Sequence, residues 1–246
     1  IFADKSMKDD KMYGEGWCWD DDNPTLSPLL LSRKDNFIER FAAKLTEAGI
    51  VVEANLDTAI KPGNAYCICH RFHTMDQILL KMLKESDNLY AESMFYQIAA
   101  SSGSKHASAL QARAIIKRLV QKLGFNPNDY TFADGSGLSL YNYVTAELEV
   151  AFLRYAVKTG NILLHLKPSM PIAATDGTLS ERMRGTFTNG NVYAKTGTLT
   201  GISTLAGYCT AANGHRLAFS IMNQGLRHTR NGRAFQDKVC TELCRP

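Results

Sequence analysis

The sequence predicts an α+β fold, an antiparallel sheet flanked by helices. Three observations carry that prediction. Apolar residues recur at helical spacing through the middle of the chain, at Met75, Ile78, Leu79, Met82 and Leu83 and again at Leu148, Ala151, Phe152 and Tyr155. From Asn191 onward the period changes to two: Val192 and Ala194 alternate with Tyr193 and Lys195, and Leu217, Phe219 and Ile221 with Ala218, Ser220 and Met222. A last helical stretch, about 231 to 243, puts Phe235, Val239 and Leu243 on one face. Helices followed by a strand meander that a helix closes is the α+β order, without the strand–helix alternation of a parallel sheet.

Bulk properties narrow the function. The 246 residues, 45% hydrophobic and 21% charged, can bury an ordinary core as one large domain or two small ones. A net charge of +4, spread without any Lys/Arg block among aromatics, argues against nucleic acid. No apolar run approaches the ~20 residues that cross a bilayer. The opening Ile1-Phe2-Ala3-Asp4-Lys5 has no starting Met and no leader, and reads as part of a longer chain. Cys18, Cys67, Cys69, Cys209, Cys240 and Cys244 make no small-protein disulfide framework; most read as small buried hydrophobes. A Cys240–Cys244 bond would require the last helical turn to fray.

The elements follow in order. Tyr13 to Asp22 is turn-rich, with Trp17 and Trp19 around Cys18 before Asp20-Asp21-Asp22. That acid run lacks the glycine and closing glutamate of a calcium loop and reads as a solvated face. Asn36 with Glu39 forms a capping box for a helix that stacks Phe37, Phe41 and Leu45 and stops at Gly49. Ile50 to Glu53 and Ala65 to Arg71 read as short strands around a Lys61-Pro62-Gly63-Asn64 turn. Cys67 and Cys69 would then share one face, awkwardly for a mutual disulfide, with His70 on the other. The Cys67-x-Cys69-His70-x-x-His73 spacing matches no common zinc site, so no metal is expected. Thr74 with Gln77 caps the next helix. Ser86-Asp87-Asn88, three poor helix formers, interrupt it before Ala91, Phe95 and Ile98 resume the period. A helix over about 106 to 123 would bury Ile116, Leu119, Val120 and Leu123 and end at Gly124. Asp134-Gly135-Ser136-Gly137-Leu138-Ser139 is a glycine-rich turn outside the strand-to-helix setting of a phosphate loop. Thr145 caps a helix to Lys158; a loop region containing Asp176-Gly177-Thr178 follows, and Asn213-Gly214 marks a hairpin.

The chemistry centres on Asn191 to Tyr208, an edge strand that turns at Gly201 into a second strand. Lys195, Thr196 and Gly197 offer a cation, a hydroxyl and bare backbone, which together can bind an anionic, peptide-like substrate edge-on. A surface lysine beside a glycine bulge is the plainer alternative. The chain holds its own control: Lys158-Thr159-Gly160 is the same tripeptide, yet it closes a helix, with Gly160 just past the end.

Ser86-Asp87-Asn88 between helices, Asp134-Gly-Ser-Gly-Leu-Ser139, Asp176-Gly-Thr-Leu179 and Lys195-Thr196-Gly197-Thr198 on a strand, in that order, resemble the C-terminal portion of the penicillin-binding D-alanyl-D-alanine carboxypeptidase/endopeptidases of the DacB type. Gly16-Trp17-Cys18-Trp19-Asp20 is similar to a stretch of that family. The resemblance implies a β-lactamase/transpeptidase-like fold: one domain over 1–246, incomplete at its N-terminus. Its helical subdomain would run over about 74–188 and its sheet part over about 1–73 and 189–246. It also implies roles. Ser86 would relay a proton to the leaving amine, and Asn88 would donate its amide to the substrate backbone. Lys195 would supply positive potential near Ser86. Thr196 and Thr198 would bind the terminal carboxylate beside Gly197, and the Thr198 N–H would form half of an oxyanion hole.

One part departs from the family pattern. The only Ser-x-x-Lys in the sequence, Ser102-Gly103-Ser104-Lys105, follows Ser86-Asp87-Asn88 instead of preceding it, and its glycine makes a poor helix interior. It reads as a loop, and the nucleophile is expected upstream of Ile1. The sequence therefore predicts a serine-type D-Ala-D-Ala carboxypeptidase or muropeptide endopeptidase, periplasmic or extracytoplasmic, that needs no cofactor and acts on peptidoglycan stem peptides. β-Lactams would bind where the nucleophile is present. This chain alone is expected to be inactive, and to self-associate or be marginally stable through exposed apolar surface. The alternatives are a non-catalytic relative that binds peptidoglycan peptides and an unrelated α+β scaffold.

Overall fold

The computed structural model describes residues 1–18, 23–53 and 55–246. Trp19 and the acid run Asp20-Asp21-Asp22 lie outside the described residues, as does Ala54. The chain divides into two compact units, Ile1–Phe72 with Ala91–Lys117 and Ala133–Tyr141, and His73–Tyr90 with Arg118–Phe132 and Asn142–Pro246.

In the first unit, β1 (Phe2–Ala3) pairs in parallel with β2 (Asp57–Thr58). Helix α1 (Phe37–Glu47) stacks Phe37 on Phe41 with ring centroids 5.9 Å apart. The expected capping box does not form: Asn36 has φ −138° and ψ 31°, outside the extended conformation of an N-cap, and its side chain makes no capping bond. The two expected strands are also absent. Residues 50–53 and 65–71 pair with no described neighbour and lie on the surface, Ile68 being 89% exposed. Their β-branched and aromatic residues give local propensity, but a strand needs a partner. Without a strand the shared-face argument for Cys67 and Cys69 lapses, and both thiols, like Cys18, are exposed rather than buried.

Helices α3 (Asn88–Ala100) and α4 (Ala109–Lys122) follow in chain order after α2 (Met75–Lys84). Within the first unit, Phe95, Ala99, Ala107 and Ala112 form a core cluster with Tyr96 and Ile116 packed against it. Along α4 the fully buried residues are Ala112 and Val120; Ile116 and Leu119, with Leu123 just beyond, are only half-buried. The glycine-rich turn wraps a buried carboxylate: Gly135 and Ser136 donate backbone N–H bonds of 3.0 and 2.7 Å to Glu92 Oε1. Burial raises the Glu92 pKa. A Cβ on Gly135 would come within 2.7 Å of the Ala91 carbonyl, so the glycine is needed for the close approach. Trp17 Nε1 donates to Asp134 Oδ2 at 2.8 Å.

The second unit contains α2, α5 (Ala146–Lys158), α6 (Gly160–Ser169), the strands β3 (Tyr193–Leu199), β4 (Ile202–Thr210) and β5 (Arg216–Asn223), and α7 (Thr229–Cys244). The sheet order is β3-β4-β5, antiparallel throughout, with Tyr193 opposite Tyr208 and Thr210 opposite Arg216. Gly201 and Gly214 make the turns with φ of +74° and +82°. The period-2 pattern sorts the faces. Val192, Ala194, Leu205, Cys209 and Phe219 pack with Cys240 and Cys244 of α7. On the other face Tyr208 packs with Leu83, Leu153 and Met170. Thr74 and Gln77 form the capping box on α2, and Thr145 caps α5.

Two expectations in this unit need correction. Gly160 does not adopt the left-handed conformation of a helix stop; α5 ends at Thr159, φ −99°, and Gly160 begins α6 at once. The buried stripe of α7 is Gly232, Gln236, Cys240 and Cys244, while Phe235 is 52% exposed. The helix lies too close to the sheet for large side chains there, since a Cβ on Gly232 would sit 3.0 Å from Ser203 Cβ of β4. Cys240 and Cys244 are free thiols in a helix regular through Cys244. No helix among the described residues is long and apolar enough to cross a membrane.

Candidate active site

The site is built at two corners of the second unit. Helix α2 ends at Lys84, and Ser86 then takes a left-handed conformation with φ +57°. A non-glycine residue there costs about 1 kcal/mol or more, so surrounding structure must hold it. Asp87 does so. Its buried carboxylate accepts N–H bonds from Leu89 (3.1 Å) and Tyr90 (3.3 Å), capping α3 and fixing the backbone next to Ser86.

The second corner is β3. Because Val192 and Ala194 are buried on the α7 side, Lys195 must project from the opposite face. Its Nζ donates to Ser86 Oγ at 2.7 Å and to the Thr196 carbonyl at 2.6 Å. No carboxylate among the described residues pairs with this ammonium, and burial pulls its pKa down to about 8. A lysine so held can give or take a proton near neutral pH through Ser86.

Past Lys195 the strand turns polar. Thr196 Oγ1 donates to Thr178 Oγ1 at 2.8 Å, and Arg233 of α7 reaches Thr198 Oγ1 at 3.4 Å. Gly197 has no room for a side chain, because Thr204 Oγ1 lies 2.3 Å from where its Cβ would be. Thr178 belongs to a turn fixed by its neighbours: Asp176 pairs with Lys84 and accepts the Ile172 N–H at 2.9 Å, and a Cβ on Gly177 would come within 2.8 Å of the Lys84 carbonyl. Two hydroxyls and the Lys195 ammonium on the strand, with the Arg233 guanidinium of α7 beside Thr198, offer donors to an anionic group.

Of the six residues singled out from sequence, Ser86 and Lys195 are in direct contact, and Thr196, Gly197 and Thr198 continue the strand beside them. Asn88 is half-buried at the first position of α3, two residues beyond Ser86. Sequence reasoning missed Thr178 and Arg233 as neighbours of the strand hydroxyls. Thr178 had a signal in the Asp176-Gly-Thr-Leu179 motif; Arg233 had none. Ser102 lies in a turn of the first unit, its Oγ donating to the Ala99 carbonyl at 2.8 Å.

A sequence profile of the D-Ala-D-Ala carboxypeptidase 3 (S13) family matches residues 30–243. The chain belongs to that family. As an S13 chain it is 35% identical over 179 residues to the D-alanyl-D-alanine carboxypeptidase DacB of Haemophilus influenzae, a match that covers 72% of this chain and 37% of that relative. The crystal structure of penicillin binding protein 4 (dacB) from the same organism, complexed with a β-lactam, superposes with a TM-score of 0.75 at 30% identity, covering 89% of this chain and 53% of that one. The extended-spectrum β-lactamase TLA-3 matches with a TM-score of 0.50 at 18% identity over 70% of this chain and 62% of its own, which shows the shared fold alone. The S13 chain therefore has the penicillin-recognising α+β fold and spans little more than a third of its curated relative.

Proposed function

We propose that this chain supplies two of the three catalytic parts of a serine-type D-Ala-D-Ala carboxypeptidase or muropeptide endopeptidase acting on peptidoglycan stem peptides outside the cytoplasmic membrane. The observation that carries the reading is the 2.7 Å bond from Lys195 Nζ to Ser86 Oγ, made by a lysine whose pKa burial has lowered to about 8. In this reading the acylated serine belongs to a Ser-x-x-Lys segment outside residues 1–246. As its hydroxyl attacks the carbonyl of the penultimate residue and the C–N bond breaks, the hydroxyl's proton passes through the Lys195–Ser86 pair to the leaving amine. The Thr198 N–H faces the developing oxyanion, and the Asn88 amide aligns the substrate backbone. Thr196 and Thr198, with Arg233 behind them, bind the terminal carboxylate, and Gly197 lets the peptide approach edge-on. No step calls for a cofactor. Self-association is a further element of the proposal, supported by exposed Tyr66, Ile68 and Phe72.

A second reading has one observation in its favour. The only Ser-x-x-Lys lies in a turn, where Ser102 is engaged with the Ala99 carbonyl, as in a relative that binds peptidoglycan peptides without cleaving them. Fluorescent penicillin, read by intact mass, tests both. The 246-residue chain should gain no adduct, whereas a longer protein joining it to Ser-x-x-Lys should gain one and release D-Ala from a D-Ala-D-Ala peptide. Binding without release by that longer protein favours the second reading. An adduct on this chain alone contradicts both, with Ser102 the first position to map.

A further inference from the structure

We propose that the second unit carries a separate site for an amphipathic anion, a carboxylate or phosphate head on an apolar body, in the cavity between α5, α6 and the β4–β5 hairpin. The inference does not rest on the function proposed above. The cavity measures about 370 Å³, within the range of small-molecule sites. Its floor is apolar, formed by Val157, Leu163, Ala218 and the ring of Tyr208, whose hydroxyl is already used on the Leu153 carbonyl at 2.8 Å. Its rim is cationic, formed by Arg154, Lys158, Lys167 and Arg216, and no acidic side chain lines it.

Among the described residues no carboxylate pairs with any of these four cations; Lys167 instead lies over the Tyr193 ring, 4.3 Å from its centroid. Four like charges around one apolar hollow repel one another, and a bound anion would relieve that repulsion. The same lining excludes other classes of ligand. A neutral sugar or peptide would leave polar groups unpaired on the floor. An organic cation meets the wrong charge, and a bare inorganic anion gains nothing from the floor. An apolar body below and a carboxylate or phosphate in the arginine and lysine rim satisfy both layers. Tyr208 faces Tyr193, two residues from Lys195, so the cavity begins about 7 Å further along the same face of the sheet.

Calorimetry with dodecanoate and dodecyl phosphate, below their micelle concentrations, tests the site on the 246-residue chain. Binding is expected for both, with inorganic phosphate and dodecyltrimethylammonium inert. Arg216→Glu and Lys158→Glu, both at exposed positions, should each weaken it by about tenfold. Ala218→Leu, which fills the floor without changing charge, should weaken it too, so the result does not hang on one variant's folding. Phosphatidylglycerol vesicles, with the same variants, separate a bilayer source of the anion from a free amphiphile; charge-reversal-sensitive binding in either arm supports the site. No binding of either amphiphile or of the vesicles below about 1 mM overturns the proposal, as does equal binding of the cationic amphiphile or indifference to all three substitutions.

Discussion

Lys-Thr-Gly occurs twice in the second unit, and the two copies have different fates. Lys158-Thr159-Gly160 lies where α5 runs into α6: Lys158 is exposed, Thr159 is the helix cap, and a Cβ on Gly160 would meet nothing within 4 Å. Lys195-Thr196-Gly197 lies on β3, where the strand period commits Lys195 to a face it shares with Ser86, and the lysine loses most of its water. Identical composition yields a solvated helix end in one place and a desolvated lysine hydrogen-bonded to a serine in the other. The difference lies in the backbone that carries the residues. A tripeptide motif becomes chemistry only when its element buries the cation against a hydroxyl and leaves its glycine facing a neighbour.

The comparison can be broken in several places. The largest effect is expected for Lys195→Ala in a protein joining this chain to its nucleophile: penicillin acylation should slow about 100-fold or more, while Gly160→Ala leaves the rate unchanged. Next is stability. At Gly207, opposite Ala194, a Cβ would sit 2.0 Å from the Tyr193 carbonyl, so Gly207→Ala should cost about 3 kcal/mol by urea midpoint. Gly160→Ala should instead gain about 0.5 kcal/mol by reducing the freedom of the unfolded chain. Equal costs at the two glycines would mean that β3 is not held against β4 as described. A smaller effect is expected for Arg233→Ala, which should raise KM for a D-Ala-D-Ala peptide about tenfold with little change in kcat. A separate effect is a slope in stability with pH. Below about 8 both folded and unfolded states hold the Lys195 proton, and burying the charge is a constant penalty. Between about 8 and the ordinary 10.5 the unfolded chain binds more protons at this group, so the Lys195 contribution to stability rises with pH there. The buried Cys209 and Cys240 thiols, whose pKa values burial raises to about 12, contribute the opposite slope. The difference in urea midpoint between the unaltered chain and Lys195→Met should therefore change with pH in that window, in favour of the unaltered chain as pH rises.

What the sequence revealed had local causes. The capping box of α2 and the break at Ser86-Asp87-Asn88 are written in adjacent residues, and the strand at Lys195 in the alternation with fully buried Val192 and Ala194. What it hid depended on partners. Residues 50–53 and 65–71 have strand-forming side chains but no described neighbour to pair with. Helix α6 was masked by Gly160 and Pro168, whose costs packing against α2 and α5 overrides. The inward face of α7 carries Gly232 and Gln236 because the sheet is close, with Gln236 Nε2 donating to Ser203 Oγ at 3.1 Å and Asn223 Oδ1 at 3.2 Å. An apolar-periodicity search favours Phe235 instead. Arg233 reaches Thr198 only through that same packing.

The central claim, that burial against Ser86 makes Lys195 a proton-active group, is tested most directly by titrating it. Lysines of the 246-residue chain would be ¹³C-methylated reductively, the Lys195 resonance assigned by its loss in Lys195→Arg, and its shift followed with pH by NMR. The account predicts a midpoint near 8. A midpoint near the ordinary lysine value of 10.5 would contradict it, leaving the second Lys-Thr-Gly no more chemical than the first.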